Sequence, residues 1–529
     1  VKNALYILPF LLSLLTLILS ACGGTSPEYW PTDEWKRASP ESRGMDSQII
    51  LDALKETDFD RIRLHSLLVI KDGFIVSEVY RYPHTRETRH VVNSVTKSFT
   101  SALVGIAIGE GLIKNVRQKV LPFFDQSAVN TSDKRWKLLT VEDLLTMRSG
   151  LNWNDFADSR SALQNTFEGM VFSDSWSSYV LSTSMMVPPG LVFDYNTGNS
   201  QLLSEIIHRT SGGRGESFAR ERLFDPIGIK DYYWRKDPRG VPAGGYGLAM
   251  RSEDIARLGF LYINNGRWNK RQIIPRNWVR RSVIPRTLSK MQVNPGAHYA
   301  YHWWVIKDTA YSAQGYGGQF LIVFPEKNLI IVSTGNIDYR YGNDLGKLFL
   351  KKIPSSITSS KPLHENKPAS DELAAYCASF ALPFEKKQSN ISGSIRKSLG
   401  RKISFEKNAE DILSITLLEA GADYIKFEFE QLNRAGGKLR TTFTAGIDNR
   451  YRGNPAHLRD TFFLFGETPV QVLARVINTD EKSLTIELVF PGLTTGPIID
   501  RLNFDGDEVT LTITFADSGR KTGVRGKFE

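Results

Sequence analysis

The stretch from residue 66 to residue 111 constrains this chain more than any other. Ser66 to Ile70 and Phe74 to Tyr80 are apolar, β-branched runs on either side of Lys71-Asp72-Gly73, the pattern of a tight hairpin. From Ser94 to Glu110 the residues Phe99, Leu103, Ile106 and Ala107 fall at helical spacing, and Gly111 marks the stop. A hairpin that runs on into a long apolar helix must bury that helix against a sheet. Further helical patterns follow at Val141 to Met147 and Ser200 to Thr210. Strand patterning returns at Phe320 to Phe324 and, after the turn Pro325-Glu326-Lys327-Asn328, at Leu329 to Thr334. Strands split in sequence around a helical block predict an α+β domain, with the helices on one side of an antiparallel sheet.

At 529 residues the chain is too long for one core and predicts two domains. Residues 353–370 are rich in Ser, Pro and Lys and lack periodicity, so they read as a linker. After a short helix around Glu372 to Phe380, the remainder (371–529) is strand-like. Ile412 to Leu418, Tyr424 to Phe429, Val470 to Ile477, Leu484 to Phe490 and Val509 to Phe515 are separated by Gly, Asn and Asp turns. That is the pattern of a small all-β barrel or sandwich. The first domain then spans 45–352.

The N-terminal region predicts an address. Lys2 precedes an apolar run from Ala4 to Leu19, which matches a signal peptide over 1–21. The run ends in Leu19-Ser20-Ala21-Cys22, which resembles a bacterial lipobox. That resemblance implies that Cys22 carries lipid, that 22–44 is a tether, and that the protein sits on the cell envelope facing the periplasm or the exterior. With Cys22 lipidated, Cys377 is the one remaining cysteine and no intrachain disulfide forms. The net charge of +10 is modest for this length, and no Lys/Arg block or nucleic-acid module accompanies it, so no nucleic-acid partner is expected. The eight histidines do not fall at ligand spacing with Cys, Asp or Glu, so neither a metal nor another cofactor is expected.

Ser94-Val95-Thr96-Lys97 carries the chemistry. Positions i and i+3 share a helix face, so an amine stands one turn above a hydroxyl. The lysine can act as a base near neutral pH only if burial or a nearby cation lowers its pKa. Free backbone N–H groups at a helix start can hold a developing oxyanion. The motif alone is weak, since Ser-x-x-Lys recurs at Ser394, Ser404 and Ser518 in the β-rich tail.

Context strengthens it. Residues from about 45 to 350 resemble the superfamily of class C β-lactamases, penicillin-binding proteins and esterases. The resemblance is carried by Leu139 through Leu151, by Gly247-Leu248 through Gly259 and by Asn265-Gly266, in the expected order after Ser94. It implies a β-lactamase-like fold with Ser94 as nucleophile and Lys97 as base. The family's Tyr-x-Asn motif corresponds to Tyr195-Asn196-Thr197, implying Tyr195 as proton relay and Thr197 as a substrate contact where the family has Asn. The family's third motif, Lys-Thr-Gly or His-x-Gly, corresponds to Ala313-Gln314-Gly315, followed by Tyr316-Gly317. The resemblance implies oxyanion donation from the N–H groups of Ser94 and Tyr316, with Gln314, Gly315 and Gly317 as further substrate contacts. Ala313 stands where the family has a cation, which places the chain closest to the nylon-dimer hydrolase and esterase branch.

The expected activity is therefore hydrolysis of a small ester or amide through an acyl-enzyme. The alternatives are a β-lactamase or D-alanyl carboxypeptidase, and a non-catalytic surface binding protein. The lipid membrane, through the N-terminal anchor, is the other expected partner.

Overall fold

The computed structural model describes residues 27–125, 133–155, 166–289, 297–306, 309–337, 342–387, 390–433, 436–456 and 470–529. The apolar run Ala4 to Leu19 and Cys22 lie outside these residues. The hairpin is present: β1 (Leu64–Lys71) and β2 (Phe74–Tyr80) pair antiparallel, with Leu68 opposite Glu78. Six later strands complete the sheet: β3 (Thr287–Leu288), β4 (His298–Tyr299), β5 (Trp304–Ile306), β6 (Ala310–Gly315), β7 (Gln319–Phe324) and β8 (Leu329–Gly335). The order is β2-β1-β8-β7-β6-β5-β4-β3. β1 thus takes as its second partner the last strand of the sheet, with Leu68 opposite Val332, and the sheet is split in sequence around the helices.

Five helices matter below: α1 (Ser47–Lys55), α2 (Thr96–Gly109), α3 (Thr197–Thr210), α4 (Ser252–Ile263) and α5 (Lys367–Ser379). Strand alternation sends Leu68, Ile70, Ile330 and Val332 to one face of the sheet, where they join a core with Phe99, Leu103, Leu202 and Leu258 of α2, α3 and α4. Leu67, Val69, Leu329 and Ile331 go to the other face and meet Leu51 and Leu54 of α1 and Leu373 and Cys377 of α5. Helices therefore cover both faces, not one. The cause is visible in β1 and β8, which are near-continuous apolar runs, the pattern of strands buried on both sides. α2 is buried from Thr96 to Ala107, as a helix in the middle of a core must be.

Two segments expected to be loose are packed. In the proposed tether, Trp35 is buried and its indole donates to the Glu253 carbonyl at 3.1 Å, while Arg257 donates to the Pro31 carbonyl at 2.9 Å. In the proposed linker, Asp46 N–H donates to the Ser356 carbonyl at 2.8 Å and Leu363 N–H to the Glu41 carbonyl at 2.8 Å. The helix expected around Glu372 to Phe380 begins earlier, as α5 at Lys367 inside the proposed linker, and belongs to the outer layer of the first domain. Backbone hydrogen bonds and single large side chains hold these segments, and neither produces periodicity in sequence.

The strands of the C-terminal ring are β9 (Lys402–Phe405), β10 (Ile412–Ala420), β11 (Tyr424–Leu432), β12 (Lys438–Gly446), β13 (Val470–Thr479), β14 (Ser483–Val489), β15 (Ile498–Asp505), β16 (Glu508–Phe515) and β17 (Lys521–Phe528), with a short further strand, Arg452–Ala456, paired to β13. Ladder pairing runs β12-β11-β10-β9-β17-β16-β15-β14-β13, and a parallel bridge between Gly446 and Arg475 closes the nine strands into a barrel. Alternate residues such as Leu484, Ile486, Leu502 and Leu511 fill it. Val91 and Ala249 of the first domain pack onto this core, and Val91 N–H donates to the Gly492 carbonyl at 2.7 Å. The loop between β14 and β15 thereby touches the first domain a few residues from Ser94.

Candidate active site

Ser94 lies in a single turn of 3-10 helix, Asn93–Val95, that leads directly into α2. Asn93 has a left-handed backbone, φ 47°, a conformation Asn tolerates better than most residues. Its side chain donates to the Tyr316 carbonyl at 2.8 Å and to Thr494 Oγ1 at 3.3 Å. The residue before Ser94 thus ties the helix start to the turn after β6 and to the barrel. No pattern in the sequence marks it.

One helical turn on, Lys97 Nζ is 3.2 Å from Ser94 Oγ. The lysine is 1% exposed. Its other partners are Thr197 Oγ1 at 3.0 Å and the Gly245 carbonyl at 2.9 Å. Burial lowers its pKa to about 8, against the pull of the Asp155 carboxylate, which raises it. Gly245 leaves room here, since a Cβ would sit 3.0 Å from Lys97 Nζ and 2.9 Å from Thr197 Cγ2 and would press on both.

Asp155 is the residue that the sequence did not reveal. It accepts from Thr197 Oγ1 at 2.8 Å, from Thr197 N–H and from the Trp153 indole. Burial raises its carboxyl pKa, and Lys97 is the largest opposing influence. A buried chain therefore runs from Lys97 through the Thr197 hydroxyl to Asp155. Thr197, expected to contact substrate, is buried between Lys97 and this carboxylate. Asp155 lies in a polar loop with no spacing relation to Ser94, so sequence offered no signal for it.

Tyr195 immediately precedes Asn196, whose side chain caps α3 by accepting from Asn199 N–H at 3.0 Å. That cap sets where the tyrosine projects. Its phenol hydrogen-bonds Ser94, and burial raises its pKa. Its ring stacks at 19° on Trp304 with centroids 6.1 Å apart, and Lys97 Nζ lies 4.8 Å from its centroid. Met147, Phe193, Tyr299 and Trp304 surround it as an apolar wall. His302 is buried nearby with Nε2 3.0 Å from Ser200 Oγ, and its pKa is lowered to about 3 by burial and by Lys97.

β6 supplies the opposite wall. Its end approaches Ser94 so closely that a Cβ on Gly315 would sit 2.3 Å from the Val92 carbonyl and 3.2 Å from Ser94 N. Tyr316 follows, largely exposed at 73%, with its carbonyl held by Asn93 and by Gln319. Two further expected contacts, Gln314 and Gly317, lie on this wall. Gln314 donates its amide to Ser312 Oγ at 2.8 Å along the strand. A Cβ on Gly317 would meet Thr494 of the barrel at 2.9 Å. Ala313 is buried in the core. Arg251, the cation just before α4, is paired with Asp254 at 2.9 Å and Glu87 at 3.3 Å.

The structure thus brings Ser94, Lys97, Tyr195 and Gly315 together. A hydroxyl beside a buried amine of lowered pKa, with a phenol across from it, is an arrangement able to pass protons to and from an acyl group. A family model described as Beta-lactamase matches residues 56–349, more than half of the chain. The chain belongs to the β-lactamase family. The matched region contains every residue of the site described above except Thr494, and the barrel lies outside it. Within the family, the chain is 23% identical over 287 residues to the 6-aminohexanoate-dimer hydrolase of Paenarthrobacter ureafaciens, covering 51% of this chain and 72% of that protein. It is 29% identical over 175 residues to the D-aminopeptidase of Brucella anthropi, covering 31% of each. Among solved structures, a Bacillus anthracis protein with the provisional name 6-aminohexanoate-dimer hydrolase superposes with a TM-score of 0.51 at 19% identity, over 64% of this chain and 92% of that one. That likeness shows a shared fold. As a β-lactamase-family serine hydrolase the chain is an enzyme, which sets aside the reading of a non-catalytic binding protein.

Proposed function

We propose that this enzyme cleaves uncharged or short-acyl esters and amides through an acyl-enzyme on Ser94. Ser94 Oγ attacks the carbonyl as Lys97 Nζ takes its proton. The Ser94 and Tyr316 N–H groups receive the oxyanion. Tyr195 passes a proton to the leaving alkoxide or amine, and water, deprotonated by the same groups, releases the acid. The observation that carries this reading is the 3.2 Å contact between Ser94 Oγ and a fully buried lysine whose pKa is lowered to about 8. On the order of a tenth of such a lysine is neutral at pH 7.

The substrate class follows from what faces the cleft. A substrate carboxylate would need a cation where Ala313 turns into the core and Gln314 turns to Ser312. A charge-assisted hydrogen bond contributes about 1.5–3 kcal/mol, so carboxylate-bearing substrates should be cleaved with roughly ten- to hundredfold lower kcat/KM. The aromatic wall around Tyr195 suits an apolar acyl or leaving group. The test compares kcat/KM for p-nitrophenyl butyrate, nitrocefin and a D-Ala-D-Ala peptide, each with Ser94→Ala as control. Nitrocefin turnover that exceeds ester turnover and vanishes in Ser94→Ala would make the enzyme a β-lactamase. Ester turnover that survives in Ser94→Ala would end the mechanism.

We also propose that Cys22 is the lipidated first residue of the mature protein and holds it at the bacterial cell envelope. The support is the apolar run that ends in Leu19-Ser20-Ala21-Cys22. Expressed in a bacterium, the protein should partition into detergent and show a diacylglycerol-sized mass increment on an N-terminal peptide starting at Cys22, both lost in Cys22→Ser. An unmodified Cys22 in the mature protein would exclude the anchor.

A further inference from the structure

The barrel holds a cavity of about 290 Å³ whose lining includes Phe429, Phe443, Leu488, Ile498 and Ile513. Asp500 stands among these residues. It is the third residue of β15, on the inward face with Leu502 and Phe504. Its cross-strand neighbours are Ile486 and Ile513, both part of the barrel core. The cavity reaches Ile498 and Asp500 but not Leu502, so Asp500 forms its floor. The side chain is more than nine-tenths buried, and its Oδ1 has no hydrogen-bond partner.

An unpaired carboxyl walled by isoleucines costs free energy that a sequence selected only for stability would avoid with a leucine. Burial pushes its pKa up to about 7, so at neutral pH it is poised between charged and uncharged forms. The rest of the lining decides which ligand charge fits. Arg520, at the mouth, is paired with Glu410 at 2.6 Å. Asp517, also at the mouth, adds a second carboxylate. Among the described lining residues no cation is left to receive an anion, and an acid such as a fatty acid would meet negative charge at both ends.

We propose that the barrel is a binding site for an organic amine, its apolar body held by the Phe and Ile side chains and its ammonium paired with the Asp500 carboxylate. The site is separate from the cleft at Ser94. The loop between β14 and β15 links the two: it lends Thr495 and Gly496 to the cavity and Thr494 to Asn93.

The test uses the full-length protein with Ser94 capped by a fluorophosphonate, so that the cleft is closed. Titration calorimetry with n-hexylamine, n-hexanol and hexanoate should show one site. Hexylamine should bind at least tenfold more tightly than hexanol, and hexanoate more weakly than both. Asp500→Asn should lower hexylamine affinity ten- to hundredfold and leave hexanol affinity within about twofold, which also shows that the barrel is folded. Ile513→Trp, which fills the cavity, should abolish binding of both, with hydrolysis of p-nitrophenyl butyrate by the uncapped enzyme unchanged. Equal affinity for hexylamine and hexanoate, no hexylamine binding, or unaltered amine affinity in Asp500→Asn would overturn the proposal. If the fluorophosphonate does not react with Ser94, the proposed nucleophile fails, and the barrel site is read from the same titrations and the same Asp500 and Ile513 variants on the unlabelled protein.

Discussion

Replacing Lys97 with methionine is expected to lower kcat/KM on p-nitrophenyl butyrate by about three orders of magnitude, the range in which a positioned general base contributes. Methionine matches the length of the lysine stem and removes a buried charge, so the fold should persist even though Thr197 Oγ1 and the Gly245 carbonyl each lose a donor. Far-UV circular dichroism would check that persistence. The proposed role of the lysine also dictates a pH profile. Activity should rise with pH as Lys97 loses its proton, along a limb centred near the pKa of about 8 set by its burial. Asp155 raises that pKa through its negative charge, so Asp155→Asn should lower it and move the limb to more acidic pH. A purely structural Asp155 would change the height of the profile without moving it. An unmoved limb, or a Lys97→Met enzyme within tenfold of wild type, would remove Lys97 from the role of base.

The second large effect concerns stability. The protein should lose most of its folding free energy between about pH 6.5 and pH 4.5, because of three histidines packed together beside the barrel contact. His65 stacks on His84 with centroids 3.8 Å apart, and its Nδ1 is 2.9 Å from His90 Nε2. Burial and mutual repulsion hold His65 well below the ordinary value, and burial foremost takes His84 to about 3 and His90 to about 4. The unfolded chain takes up these protons near pH 6.5, before the folded one can. The stabilisation is therefore complete above the unfolded pKa and is lost as pH falls towards the folded values. Each differential proton is worth about 1.4 kcal/mol per pH unit, so three give a slope of roughly 4 kcal/mol per unit near pH 5, against a typical total stability of about 5–15 kcal/mol. His84→Phe keeps the stacked ring and removes one titrating group, and should flatten the slope by about a third. Urea unfolding at pH 7, 6 and 5 measures it. A slope unchanged in His84→Phe would show that other groups govern acid sensitivity.

Ser94 and Lys97 were legible in the sequence because their proximity is local. A helix brings i and i+3 to one face whatever surrounds it, and the apolar spacing of Phe99 and Leu103 announced that helix. The hairpin, the split sheet and the β-rich tail were legible for a similar reason: strand alternation and turn residues are set by nearest neighbours in the chain. The same reasoning misplaced segments whose order comes from distant partners. Residues 22–44 and 353–370 look like tether and linker by composition, yet the described part of the first is held by Trp35 against α4, and backbone hydrogen bonds join it to the second. The strands of the first domain are covered on both faces, and the helix that completes the second layer, α5, begins inside the proposed linker, at Lys367.

Local order in the sequence determined the pairing of a hydroxyl with an amine on a buried helix, and with it the class of chemistry. What the amine can do was decided in three dimensions. Its pKa depends on the low-polarity surroundings that α2 acquires inside the core, on Asp155 reaching it through Thr197 from a loop 58 residues further along, and on Gly245 leaving room for its ammonium group. Likewise, alternation specified the strands of the tail, but only closure of the ring at Gly446 and Arg475 encloses Asp500. Electrostatic energies depend on everything within several ångströms of a charge, and periodicity in sequence reports only what lies one turn or one strand position away.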